Sequence, residues 1–353
     1  MWWDRSNREA GPGRRFPGSR IVLAVLVIAF LSFMVWQGRR MRWESGPRTV
    51  TVYCFSAMED AMTDGVLPAF QEFWKGKTGQ HVEFITAFAG SGTITDQIIR
   101  RFPAEIAVLS SEIDAYRLVR RGVLPGPVWT TLPERGVFAR TPMVIRVRPG
   151  NPKGIAGFDD LARPDVGLLL ADPTTSGAGE WTALALYGSA FLEEGDRARG
   201  LDRLVRVWGR GAEGGSSARV ARSRFSEGSA DALITYEAEI LGRAGSGGAN
   251  GEIVMPRSTI VAEPVVVKIG RNVSPEQKDL IDSLVSYFWS DEAQQILVAY
   301  GFRSVDKERN VPDAGFRPID RLFTLEEIGG PERAEEEVLG EALRLDAAST
   351  AAD

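Results

Sequence analysis

From Arg48 onwards, short β-branched runs alternate with segments of helical period, and this alternation restricts the fold more than any other feature. Arg48–Tyr53 (RTVTVY) reads as a strand. Asp60–Gly79 reads as a helix with Met62, Leu67, Phe70, Phe73 and Trp74 on one broad face, and His81–Ile85 as a second strand. Ala89-Gly90-Ser91-Gly92 opens a helix over Thr93–Arg101, Ile106–Leu109 is a third strand, and Ile113–Gly122 is a helix ended by glycine. Such a β-α-β-α-β order specifies a parallel sheet with helices on its faces.

The pattern resumes further on. Strands are expected at Met143–Val147, Val166–Ala171, Ala232–Thr235, Ile253–Pro256 and Pro264–Ile269. Helices are expected at Phe158–Leu161, from SGAGEW to Glu194, and at Leu201–Trp208, Arg219–Glu227, Ser274–Trp289 and Glu292–Tyr300. The expected fold is α/β and two-lobed, each lobe a mixed, mostly parallel sheet flanked by helices. Residues 48–140 with 262–330 form lobe 1, and 141–261 form lobe 2. Residues 331–353 are acidic and alanine-rich and are expected to be a frayed helix with a disordered end.

Charge is unevenly placed. Residues 1–45 carry eight arginines and three acids, while the rest holds 34 basic and 44 acidic residues. A body that acidic is unsuited to nucleic acid, which wants a basic footprint. The single histidine, His81, and single cysteine, Cys54, argue against zinc sites and His-based triads, so no catalytic residue, metal or organic cofactor is expected. Cys54 reads as a small buried hydrophobe.

Ile21–Trp36 is uncharged, with arginines on both sides. It is short against the roughly 20 residues of a typical span and long against the roughly 7–15 of a signal-peptide core. The expected arrangement is a basic cytoplasmic segment at 1–20, a signal anchor or cleaved signal peptide at 21–36, and a linker at 37–47. The body would then lie in the periplasm, held at the inner membrane.

Three turns near strand–helix transitions are rich in small and hydroxyl residues: Ala89–Gly92, Thr175-Ser176-Gly177-Ala178 and Ser216-Ser217-Ala218-Arg219. A helix N-terminus offers unpaired N–H groups and about half a positive charge. Glycine lets an anion approach the backbone, and serine adds a donor. Three converging termini could hold an oxyanion with no Lys or Arg touching it. Taken singly, each turn reads more readily as a plain cap.

The body resembles the periplasmic sulfate/thiosulfate-binding proteins of ABC importers over nearly its whole length, from about Thr49 to Gly330. The matching stretches are AGSG at 89–92, VRPGNPKGI at 147–155, DPTTSGAGEW at 172–181 and SSAR at 216–219. DALITYEAE at 231–239, EIVMPRSTIVAEP at 252–264 and LFTLEEIGG at 322–330 continue the match. The resemblance implies the type II periplasmic-binding clamshell. It places the family's first-lobe serine on Ser91 and its Ser-Gly-Gly donors on Ser176, Gly177 and Ala178. Its SGAR backbone donor falls on Ala218 and its indole donor on Tyr236. Phe55 stands where the family has aspartate, and Glu180 where it has arginine.

Two positions resemble the related molybdate-binding proteins instead: Ser56, after the first strand, and Tyr236. The expected ligand is therefore a tetrahedral oxyanion, sulfate or thiosulfate first, with molybdate or tungstate as the alternative. A proton-bearing phosphate would want a carboxylate acceptor, and Glu180 and Glu237 stand beside donor motifs. The expected partners are an ABC permease with a cytoplasmic ATPase and the membrane, around a monomer. A tethered anion sensor without transport is the rival binding role.

Overall fold

The computed structural model describes residues 25–36, 47–242 and 251–350. The strands are β1 (Arg48–Phe55), β2 (Val82–Ala89), β3 (Ile106–Leu109), β4 (Ala139–Val147), β5 (Leu168–Ala171) and β6 (Gly211–Gly215). They continue as β7 (Ala232–Tyr236), β8 (Glu252–Val254), β9 (Ser258–Ala262), β10 (Val265–Lys268), β11 (Arg303–Ser304) and β12 (Arg321–Phe323). Four strands form a smaller sheet in the order β10-β3-β1-β2, in which only β10 runs antiparallel. The larger sheet runs β12-β9-β4-β7-β5-β6, with β8 and β11 also on β4.

The smaller sheet is mostly parallel, as expected. The larger is more mixed than a plain β-α-β alternation predicts. The long strand β4 is antiparallel to all four of its neighbours, β7, β8, β9 and β11, while β5, β6 and β7 keep a parallel core. Antiparallel pairing needs no crossover helix.

On the smaller sheet lie α1 (Leu67–Thr78), α2 (Ser91–Ile99) and α3 (Glu112–Arg120). The larger sheet carries α4 (Gly177–Glu194), α5 (Arg197–Trp208) and α6 (Ala218–Ser226). The chain then continues through α7 (Lys278–Tyr287) and α8 (Asp291–Ala299). Local chemistry sets the ends. Gly79 stops α1 at φ 75°, and Asp196 caps α5 by accepting from Ala198 N at 2.9 Å. Phe70, Trp74, Tyr287 and Phe288 are buried, while Phe73 is exposed and packs its ring against Phe70 and Tyr287. Cys54 is fully buried, and burial holds its thiol well above the ordinary range, as an inert hydrophobe requires.

The chain passes between the sheets three times, the last of them between β10 and β11, and the first two crossings lie side by side. Phe138 leads into β4, and Glu263-Pro264 joins β9 to β10. Thr141 pairs with Ala262, Phe138 N donates to Pro264 O at 3.4 Å, and Arg140 Nε meets Glu263 Oε1 at 2.9 Å.

The C-terminal segment corrects an expectation. Gly330–Thr350 is continuously helical rather than frayed, with Ala334, Val338, Leu339 and Ala342 buried. Those residues recur at helical spacing, so the segment has an apolar stripe despite its acidic content. Glu335 pairs with Arg117 and Arg120, and Glu337 with Arg197 and Arg333, so much of that acidity is spent on docking.

Residues 25–36 are helical and exposed throughout. Twelve residues at about 1.5 Å each give about 18 Å, against about 30 Å for a bilayer core. No helix among the described residues is long and apolar enough to cross a membrane. The expected cytoplasmic segment, the start of the expected anchor and most of the linker, 1–24 and 37–46, lie outside the described residues.

Candidate functional site

The carboxyl ends of β1, β2 and β3 in one sheet and of β5, β6 and β7 in the other open onto a shared crevice, where ligands of α/β sheets bind. Each strand end delivers a turn to it: Ser56 after β1, Gly90-Ser91 after β2, Ser110 after β3, Ser176 before α4, Ser216-Ser217 before α6, and Tyr236 closing β7.

The three expected helix N-termini meet there. A β-carbon on Gly90 would overlap the carbonyls of Thr175 and Ser216, coming within 2.9 Å of Thr175 C. One on Gly177 would lie 2.6 Å from Ser110 Cβ and 3.2 Å from Ser91 Cβ. Only glycine permits this approach. Thr93 N donates to Thr175 O at 3.3 Å, and Trp181 Nε1 to Ser110 O at 3.0 Å, so the two sheets' turns bond directly. Asp172 stiffens the loop before α4, accepting from Thr174 N at 2.7 Å and Thr175 Oγ1 at 2.6 Å.

The hydroxyls divide by whether they are already spent. Ser217 is a plain cap, accepting from Val220 N at 3.3 Å. Ser91 Oγ donates to Asp114 Oδ2 at 2.5 Å and accepts from Ser110 N at 2.9 Å. Its hydroxyl is thus committed, and what it offers the crevice is its first-turn N–H, which has no intrahelical acceptor. The same holds for the N–H groups of Gly177, Ala178 and Ala218, in the first turns of α4 and α6. Ser176 occupies the cap position of α4 but makes no capping bond, and its Oγ is buried without a partner. Tyr236 OH is likewise buried and unpaired. Burial pushes that phenol's pKa well up, with the nearby Ser110 hydroxyl pulling the other way, so the phenol stays a neutral donor.

Ser56 is buried beside this cluster. The Phe55 and Tyr236 rings meet edge-on at 6.1 Å, and Arg219 Nε of α6 donates to Ser56 O at 3.4 Å. Thus the structure brings the turns that carry Ser56, Ser91, Ser176, Gly177, Ala178, Ala218 and Tyr236 together at the facing ends of the two sheets. Ser110 joins them: it is fully buried, its Oγ is unpaired, and it faces Gly177. The sequence signal for it was faint, a serine pair closing β3, of which Ser111 caps α3 by accepting from Ile113 N at 3.1 Å.

Glu237 faces elsewhere, in a two-pronged pair with Arg303 at 2.7 and 2.8 Å. Glu180 is buried at the crevice and bonds Arg117 Nη1, reaching across from α3, at 2.5 Å. Burial first, then Asp114, pushes its pKa up to about 8 against the pull of Arg117. Arg219 makes a second bridge between the sheets, to Glu59 at 3.1 Å and Asp60 at 3.0 Å. No cluster of three or more His, Cys, Asp or Glu among the described residues could hold a metal ion.

Two sheets meeting over a crevice of unspent donors define a protein that encloses a small solute. The chain belongs to the bacterial extracellular solute-binding protein family, whose model matches residues 50–303. It is 31% identical to the sulfate-binding protein of Escherichia coli over 279 residues, covering 76% of this chain and 83% of that protein. It is 28% identical to the thiosulfate-binding protein of Pseudomonas aeruginosa over 273 residues, covering 76% and 82% respectively. The fold matches the sulfate-binding protein SubI from Mycobacterium tuberculosis H37Rv with a TM-score of 0.72 and 25% identity, over 80% of this chain and 96% of that one. These matches make the fold that of the type II periplasmic binding proteins.

Proposed function

We propose that this chain is the solute receptor of an ABC importer and captures a tetrahedral dianion, sulfate or thiosulfate. One observation carries the reading. The N-termini of α2, α4 and α6 converge on a point where Ser176 Oγ and Tyr236 OH are buried without partners. Buried polar groups are normally paired. A set of unpaired donors around three positive helix ends suits an acceptor-only ligand, and a fully ionised tetrahedral anion is one.

In this reading Ser91, Gly177, Ala178 and Ala218 donate through the backbone, Ser176 and Tyr236 through hydroxyls, and Ser56 lies beside them. The smaller sheet with α1, α2 and α3 acts as one lobe, and the larger sheet with α4, α5 and α6, including β11 and β12, acts as the other. The paired crossings at Thr141 and Ala262 serve as the hinge, and closure buries the anion. The segment at 21–36 anchors the monomer to the inner membrane, with the body in the periplasm facing a permease. The contact of Phe55 with Tyr236, which sets Ser56 near the phenol, favours molybdate as a second reading.

Calorimetric titration of the anion-free full chain with sulfate, thiosulfate, molybdate, tungstate and phosphate tests this. Saturable binding of a dianion at about one per chain supports it. Binding of none means that the converging turns cap helices and do nothing more.

A further inference from the structure

Behind the first turn of α4, three carboxyl groups share one guanidinium. Arg117 Nη1 lies 2.5 Å from Glu180 Oε1 and 3.0 Å from Asp114 Oδ1, and Arg117 Nε lies 2.9 Å from Glu335 Oε1. The Asp114 and Glu180 side chains are 0% and 2% exposed, while Glu335 is a quarter exposed and shared with Arg120. Within the buried part, two carboxyls face a single cation. A dianion at the first turn of α4 adds two more negative charges in a poorly screened place, where unpaired charge is costly.

The two carboxyls are not equally supported. Asp114 has both oxygens bonded, Oδ1 to Arg117 and Oδ2 to Ser91 Oγ. Glu180 has one oxygen bonded, and its Oε2 is buried without a partner. Of the pair, Glu180 is the one whose ionised form the surroundings sustain less. It is the fourth residue of α4, and helix side chains lean toward the N-terminus. This sets it one turn behind the N–H groups of Gly177 and Ala178, where its charge also acts on the Tyr236 phenol.

We propose that Glu180 determines specificity by carrying a proton: protonated, it admits a doubly charged tetrahedral anion, and ionised, it excludes one. The inference rests on the oxyanion reading above. The balance is simple: ionised Glu180, a dianion and one proton from solvent give the complex with Glu180 neutral, and no covalent bond other than O–H forms. The groups facing Glu180 are Asp114 and Arg117 from α3, Glu335 from the C-terminal helical segment and Tyr236 from β7. Burial opposes the charge of Arg117, but Glu180 and Asp114 raise its pKa above the ordinary arginine value, so it stays a cation. Tyr236 stays neutral. Glu180 can thus exchange a proton in mild alkali, its pKa standing at about 8 before the anion arrives.

The test is titration of the full chain with sulfate and with molybdate, both fully ionised from pH 6.5 to 9.5, in buffers of different ionisation heat. The expected result is roughly 30-fold weaker binding at pH 9.5 than at pH 6.5. Near pH 9 uptake should approach one proton per anion. Glu180→Gln should bind the same anion with neither the pH dependence nor the proton uptake. Flat wild-type affinity with no proton uptake overturns the inference while sparing the oxyanion reading, and needs no variant to fold. An equal pH slope in Glu180→Gln, or phosphate bound more tightly than either dianion, overturns it as well. Binding of neither anion at any pH removes the oxyanion reading and this inference together.

Discussion

Ser91 Oγ lies 2.5 Å from Asp114 Oδ2, and that bond takes the proton the hydroxyl would need to donate to an anion. Ser91 therefore serves the crevice through its backbone. Ser91→Ala should leave Asp114 Oδ2 and Ser110 N–H buried without this partner, lowering stability by roughly 1–3 kcal/mol in urea unfolding. Sulfate affinity should change by less than about fivefold, which is about 1 kcal/mol.

Ser176 and Tyr236 should behave in the opposite way. Ser176 Oγ makes no hydrogen bond that the change would break, and Tyr236 OH has only the Ser110 hydroxyl nearby. Ser176→Ala and Tyr236→Phe should each weaken anion binding about 10- to 100-fold, the range for a hydrogen bond to a charged group. The melting temperature of the anion-free protein should hold or rise.

Gly90 and Gly177 sit where the two sheets' turns touch, and the atoms a methyl group would strike are backbone or closely packed side chain. Gly90→Ala and Gly177→Ala should prevent closure. Small-angle scattering with saturating anion should show no compaction for either variant, while the wild type compacts.

Glu180 makes stability depend on pH. Its pKa rises from 4.5 to about 8 on folding, so the folded state holds the proton more tightly than the unfolded one. Its contribution to stability is fully present below about pH 4.5, is lost as pH rises to about 8, and is level beyond that. Urea midpoints from pH 5 to 9 should decline over that window in the wild type and decline less in Glu180→Gln.

The C-terminal helix contributes burial and also charge to the site. Ending the chain at Gly330 removes the buried Ala334, Val338, Leu339 and Ala342 and the Glu335 partner of Arg117. Burying Val338 and Leu339 alone is worth roughly 3–6 kcal/mol. The truncated chain should unfold at markedly lower urea, and Arg117 should be left to Asp114 and Glu180.

What could be read from the sequence was what depends on local pattern. The strand–helix alternation and the glycine-serine turns at Gly90, Gly177 and Ser216 are short-range signals, and they met in space. What could not be read depends on distant partners. β6 is GAEGG and lacks β-branched residues; it is a strand because Gly211 and Gly214 let it lie against Leu170. The C-terminal stripe is sparse among glutamates, and its ion pairs reach back to Arg117 and Arg197. Ser110 and the commitment of Ser91 to Asp114 follow from tertiary contacts across 19 and 23 residues.

The most direct test of the converging donors is a crystal structure of the chain with selenate, a tetrahedral dianion visible by its anomalous signal. The account predicts one peak in the crevice, within hydrogen-bonding distance of the N–H groups of Ser91, Gly177, Ala178 and Ala218 and of Ser176 Oγ and Tyr236 OH. A peak elsewhere, or an empty crevice at saturating selenate in a protein that binds it in solution, would contradict the account.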